Sequence, residues 1–224
     1  MLLALLVALP LHGAWRLVGR KSPWPPRFLG LVARIVGARP RILGTPLRHD
    51  VVFVANHLSW IDILLLSGAT GTAFIAKAEL RQAPLVGWLC ELNATIFVAR
   101  GDRMAVAGQI AQIRDTLARD WPVTLFPEGT TGDGITLLPF KAALLAALDP
   151  PPGVRVQPVR IDYGAATHEL AWIGDESGQH HAARVLTRRG TFTPTLHFAE
   201  PFAPADHGDR KAIAAEARRR IEAL

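Results

Sequence analysis

The stretch "VVFVANHLSWID", Val51 to Asp62, decides the fold. Its first five residues form a continuous apolar run, the pattern of a strand buried on both faces. Ser59 then opens a helical stretch reaching about Ser67. Within this unit His57 and Asp62 stand five residues apart. On one continuous helix, positions i and i+5 point about 140° apart. The pair can meet only where the backbone changes direction, and the strand-to-helix bend supplies that change. A carboxylate touching one imidazole nitrogen fixes the tautomer and raises the basicity of the other. Such a histidine can take a proton from a hydroxyl. The same residues support a second reading. Ser59-x-x-Asp62 matches a capping box, in which the carboxylate bonds back to the Ser59 amide.

Working outward, strands and helices keep alternating. "TAFIAK" (72–77), "TIFVAR" (95–100), "PVTLF" (122–126), "VRVQPVRIDY" (154–163) and "TPTLHFAE" (193–200) read as strands. Between them the spacing predicts a short helix over 84–92, one from Asp102 to about Arg119, and one from about Phe140 to Leu148. Asp206 or Asp209 opens a C-terminal helix. The expected fold is a single α/β layer-type domain, with a central mostly parallel or mixed sheet flanked by helices. Residues 46–224 form that domain, and residues 1–45 precede it as a membrane-associating helical segment.

The N-terminal segment "MLLALLVALPLHGAW" has only nine apolar residues before Pro10, too few to span a bilayer alone. It lacks the basic start and small-residue cleavage site of a signal peptide. Insertion as a tilted span, or shallow anchoring, is the expectation. After "KSPWPP", the helix "RFLGLVARIVGAR" gathers Phe28, Leu31, Val32 and Ile35 in one arc, with Arg27 and Arg34 opposite. A basic amphipathic helix can lie among lipid headgroups; it can equally pack on the domain. Trp15 and Trp24, near Arg16, Arg20 and Lys21, favour the interface.

The bulk numbers agree with that setting. In 224 residues there is room for one domain with a real core. Half the residues are apolar and mean hydropathy is +0.21. A net charge of +6 and a pI near 10.4 call for an acidic partner. One tyrosine and no base-reading motif place nucleic acid below a membrane surface or an acidic substrate. The single Cys90 excludes an intrachain disulfide and reads as a small core residue. His168, His180 and His181 have no metal-ligand spacing and read as loop residues, so no metal is expected.

A second stretch, "LFPEGTTGDG" (Leu125–Gly134), carries a buried strand into a glycine-rich turn headed by Glu128. Gly129, Gly132 and Gly134 permit tight turns and close backbone approach to a ligand. Glu128 at the mouth can receive hydroxyls or orient a head group; the plain alternative is a solvated turn. Lys141 follows in the expected first turn of the next helix, where the macrodipole does not favour a cation. It serves either solvation or an anion.

"NHLSWID" resembles the N-H-x-x-x-x-D block of the glycerolipid acyltransferase family, which includes 1-acylglycerol-3-phosphate acyltransferases. "FPEGT" resembles that family's third block, "GWLCELNATIFVAR" (Gly87–Arg100) its second, and "VQPVRI" (Val156–Ile161) its fourth. The ordered set covers roughly residues 50 to 165. It reassigns Asp62 to His57 and leaves Ser59 the cap. The resemblance implies that His57 is the general base on a lysolipid hydroxyl and Asp62 its orienter. The oxygen then attacks the thioester of acyl-CoA or acyl-carrier protein, a co-substrate, with no other cofactor. Arg100, Glu128, Gly129, Thr130, Thr131 and Lys141 are the implied substrate-binding residues.

Phosphatidate-forming relatives commonly continue the third block as Gly-Thr-Arg. Here the position is Thr131, followed by Gly132 and Asp133. The expected acceptor is a 1-acylglycerol-3-phosphate-type lysophospholipid, and the alternative is lyso-ornithine lipid, whose ammonium suits Asp133. The enzyme would sit on the cytoplasmic face of the inner membrane. A membrane lipid-binding protein without chemistry is the rival class, though binding alone needs no base.

Overall fold

A computed structural model describes residues 2–19, 21–82, 84–98, 105–149 and 153–224. The stretch 51–62 forms its centre. Strand β2 (Val51–Ala55) has all five residues buried, and helix α3 (Ile61–Thr70) follows after a five-residue bend, 56–60. Its odd residues, Val51, Phe53 and Ala55, enter one core with Phe28, Val32, Leu65 and Tyr163. Its even residues, Val52 and Val54, enter a second core with Ile113, Leu117, Ile213 and Ala217. Burying each such side chain contributes roughly 1.5–3 kcal/mol, more than the roughly 1–2 kcal/mol cost of ordering one residue's backbone. A two-faced apolar strand therefore belongs inside a three-layer sandwich, and this one is.

The other strands are β1 (Arg41–Leu43), β3 (Ala73–Lys77), β4 (Ile96–Val98), β5 (Val123–Leu125), β6 (Arg155–Asp162) and β7 (Thr195–Phe198). The sheet order is β1-β7-β6-β2-β5-β3-β4. From β6 to β4 the strands are parallel; β7 is antiparallel to β6, and β1 runs with β7. The sheet is thus mixed, as expected. On one face lie α2 (Trp24–Ile35) and α3, and on the other α5 (Ala105–Ala118) and α8 (Arg210–Glu222). The remaining helices are α1 (Leu2–Leu17), α4 (Pro84–Leu92), α6 (Thr167–Leu170) and α7 (Gly178–Thr187). Asp209 caps α8, its Oδ1 accepting the amides of Lys211 and Ala212.

Several expectations change. No helix among the described residues is long and apolar enough to cross a membrane. Helix α1 has 16 residues, about 24 Å at 1.5 Å per residue, against a ~30 Å hydrocarbon core. Helix α2 does not keep its apolar arc together. Phe28 and Val32 are buried against the domain, while Leu31 and Ile35 stay exposed. It packs on α3 through a glycine contact: a Cβ on Gly68 would lie 2.7 Å from the Gly30 Cα. Strand β1, inside residues 1–45, pairs with β7, so the segment from Trp24 onward shares the sheet and its core. The helix expected from Phe140 is only a 3-10 turn over Leu144–Leu148. His180 and His181 lie on α7 rather than in a loop. The capping position expected at Asp102 lies outside the described residues.

Candidate active site

Three neighbouring parallel strands, β5, β2 and β6, end side by side, and their carboxyl ends carry the polar residues. Outside the carboxyl ends of parallel strands is where α/β sheets place ligands. Val54 pairs with Leu125, and three residues beyond each stand His57 and Glu128. The buried Asn56 side chain prolongs the β2–β6 pairing. Its Nδ2 donates to the Ile161 carbonyl at 2.9 Å, and its Oδ1 accepts the Ile161 amide at 2.7 Å. That double bond to a backbone fixes where the chain leaves the sheet, and so where His57 begins.

His57 Nδ1 donates to Asp62 Oδ2 at 2.9 Å. The His57 side chain is 18% exposed and Asp62 is fully buried. The same Oδ2 accepts the Leu58 amide at 2.7 Å and the Ser59 amide at 3.0 Å. Both sequence readings are therefore present at once: the capping-box bond and the histidine bond share one oxygen. Ser59 Oγ accepts the Ile61 amide at 3.1 Å. The His57 ring stacks on Phe126, with centroids 4.0 Å apart and planes 15° apart. With Nδ1 engaged by Asp62 and the ring plane held by Phe126, Nε2 is left to carry the lone pair. A histidine held in this way can take a proton from a hydroxyl.

Glu128 is buried, and its Oε2 accepts the His57 amide at 3.3 Å. Burial pushes its carboxyl up to about 7, against the opposing pull of the His57 and Leu138 amides. Gly129 adopts φ +70°, a left-handed conformation that favours glycine. A Cβ there would meet Lys141 Nζ at 3.0 Å, so the exposed lysine lies across the turn. Lys141 also donates its amide to the Pro127 carbonyl at 2.8 Å, an irregular backbone pairing that replaces the expected helical turn. Thr130 is exposed at the tip.

Thr131 is bonded within the protein. Its hydroxyl donates to the Trp172 carbonyl, while the Trp172 amide donates to the Leu58 carbonyl at 2.8 Å. The side chain ties the glycine-rich loop to the 171–173 segment. The Gly132 amide closes the loop onto the His57 carbonyl at 2.8 Å. Asp133 Oδ1 accepts the Ile135 and Thr136 amides, both at 2.9 Å. Those amides hold its carboxyl below the usual range, and it is exposed. Arg100 lies outside the described residues.

Two participants escaped the sequence reading. Tyr163, at the end of β6, is fully buried and donates its hydroxyl to Asp62 Oδ1. His181 accepts from Trp60 Nε1 at 3.0 Å and donates to the Leu170 carbonyl at 3.1 Å, while its ring stacks on Trp172. It is a buried structural tie, and burial lowers its basicity. Cys90 is half-buried, with its thiol pushed up by burial, unlike a nucleophile. Among the described residues no cluster of His, Cys, Asp and Glu could hold a metal ion.

A family model described as Acyltransferase matches residues 39–162. The chain belongs to the acyltransferase family. It is 34% identical over 233 residues to a lyso-ornithine lipid O-acyltransferase of Rhodobacter capsulatus, covering 96% of this chain and 83% of that one. A 1-acyl-sn-glycerol-3-phosphate acyltransferase of Neisseria gonorrhoeae is 38% identical over 116 residues, 51% of this chain and 45% of that protein. The crystal structure of the 1-acyl-sn-glycerophosphate acyltransferase of Thermotoga maritima aligns with TM-score 0.64 and 24% identity, over 89% of this chain and 79% of that chain. At that identity the likeness concerns the fold. This member of the acyltransferase family is an O-acyltransferase, and the resemblance carried by its four blocks is borne out.

Proposed function

We propose that the enzyme moves a fatty acyl group from an acyl thioester to the free hydroxyl of a membrane lysolipid, with lyso-ornithine lipid as the acceptor. The observation that carries the chemistry is His57 Nδ1 on Asp62 Oδ2 at 2.9 Å, which leaves Nε2 to take the acceptor's proton. The hydroxyl oxygen attacks the thioester carbon, the carbon–sulfur bond breaks, and the proton passes from His57 to the departing thiolate. No covalent acyl-enzyme is needed. Acyl-CoA and acyl-carrier protein both suit a chain of net charge +6.

The acceptor order given above is reversed on two grounds. The lyso-ornithine relative aligns over nearly the whole chain, the phosphatidate-forming one over half. Thr131 offers no charge for a phosphate and is bonded to Trp172, while the exposed Asp133 suits an ammonium. Leu6, Val7, Leu11 and Leu17 of α1, and Leu31 and Ile35 of α2, stay exposed. They support shallow seating of α1 and the outer edge of α2 in a membrane surface, which we assign to the cytoplasmic face of the inner membrane. The test is an acceptor panel with detergent-purified protein: lyso-ornithine lipid against lysophosphatidate, following thiol release from both donors. Faster turnover of lysophosphatidate overturns the acceptor, and no turnover of either overturns the reaction.

A further inference from the structure

We propose that Tyr163 is a positioning residue of the reaction. Its hydroxyl holds the Asp62 carboxylate so that Oδ2 faces His57, and it sets how strongly that carboxylate draws on the imidazole. This rests on His57 as the base. Four donors converge on Asp62: the imidazole and the amides of Leu58 and Ser59 on Oδ2, and the phenol alone, among described contacts, on Oδ1. The three Oδ2 donors all come from residues 57–59 and leave the carboxylate free to swing about that oxygen. The phenol arrives from another strand and stops the swing. It is fixed in turn by the Phe192 ring, edge-on at 5.7 Å. Burial keeps the phenol well above its usual range, so it remains a donor at working pH.

Other charged groups around this network are few. Glu128 faces His57 from the β5 turn, and Lys141 lies over Gly129. Arg188 stands over Phe192, with its guanidinium 5.5 Å from that ring. His181 meets the neighbouring Trp60 with both ring nitrogens engaged. None of these is described as bonding to Asp62 Oδ1, so the phenol is the lever on that oxygen. Weakening its bond concentrates charge on the carboxylate, strengthens the hold on protonated His57, and raises the pH at which the base is freed. Strengthening the bond does the opposite.

The chain has one tyrosine, so a fluorinated tyrosine supplied during expression replaces this residue alone. The experiment compares full-length wild type, Tyr163→Phe and the 3,5-difluorotyrosine protein by thiol release from a thioester donor. For Tyr163→Phe, kcat falls roughly ten- to hundredfold, with KM for both substrates little changed, and the acid limb of kcat/KM moves to higher pH. The difluorotyrosine form keeps the shape with a more acidic phenol, and its acid limb moves to lower pH. Should Tyr163→Phe fail to fold, the fluorinated protein decides alone. A limb that belongs to Glu128, or a phenol that only fills space, stays in place in every form, and that overturns the proposal. An inactive wild type or a fully active His57→Ala overturns the reading of the site instead.

Discussion

His57 and Glu128 leave the sheet at one level, each three residues beyond the paired positions Val54 and Leu125, and the His57 amide donates to Glu128 Oε2 at 3.3 Å. The register of two parallel strands thus places an imidazole and a buried carboxyl side by side, with no direct side-chain bond between them described. Their environments differ for a physical reason. His57 is held by a buried carboxylate and the Phe126 ring and keeps one edge exposed, whereas Glu128 meets backbone amides in a site that favours its neutral form.

Removing the base is the first test. His57→Ala should lower thiol release by roughly a hundredfold or more, the range that general-base catalysis contributes. Asp62→Asn should act similarly, because an amide group turns one of four incoming donors against another donor. That mismatch should also cost about 1–3 kcal/mol of stability, read as a lower melting temperature. Full activity in both variants would sink the assignment.

Glu128 predicts a pH signature in folding. The unfolded chain releases this proton near 4.5, while the folded protein keeps it to about 7. Between those values the unfolded state binds fewer protons, so the unfolding free energy falls as pH rises and levels off above 7. A carboxyl displaced that far corresponds to about 3 kcal/mol. Glu128→Gln should remove this component and gain stability relative to wild type as pH rises from 5 to 8. Denaturant titrations of both proteins across that range measure it, and parallel profiles would refute it.

The contact of Gly30 with Gly68 predicts a steric penalty. A Cβ on Gly68 would sit 2.7 Å from backbone that cannot yield cheaply. Gly68→Ala should push α2 off α3 and cost about 1–3 kcal/mol, several degrees of melting temperature for a chain of this size. Gly108 is the control, because nothing lies within 4 Å of a Cβ there. Equal melting of Gly68→Ala and Gly108→Ala would show that the helices adjust freely.

What was legible in the sequence follows the range of each interaction. Strand β2 announces itself because both faces are buried, and the His57–Asp62 pair because a bend lies inside its five-residue spacing. Strand β1 has three residues, none buried, and no period to detect; only its pairing with β7 makes it a strand. Helix α7 is polar enough to pass for a loop until Val185 and His181 find the core. Tyr163 reaches Asp62 across 101 residues and Thr131 reaches Trp172 across 41, distances at which spacing carries no signal. The capping box failed to exclude the His57–Asp62 bond for a different reason: one carboxylate oxygen accepts several donors.

Asp133 gives the sharpest test of the acceptor. Its Oδ1 holds the loop through the Ile135 and Thr136 amides, a role that an asparagine Oδ1 fills equally well. Asp133→Asn therefore removes the charge and keeps the turn, unlike alanine, which would loosen both. If the carboxylate faces the ammonium of lyso-ornithine lipid, kcat/KM for that acceptor should fall about five- to tenfold, near 1–1.4 kcal/mol for an exposed charge pair. Lysophosphatidate, which has no ammonium, should be used no worse, and better where relief of repulsion helps. The measured quantity is the ratio of the two kcat/KM values with one thioester donor. An unchanged ratio in a folded, active Asp133→Asn enzyme would place the ammonium elsewhere and leave Thr131 as the only departure still bearing on the head group.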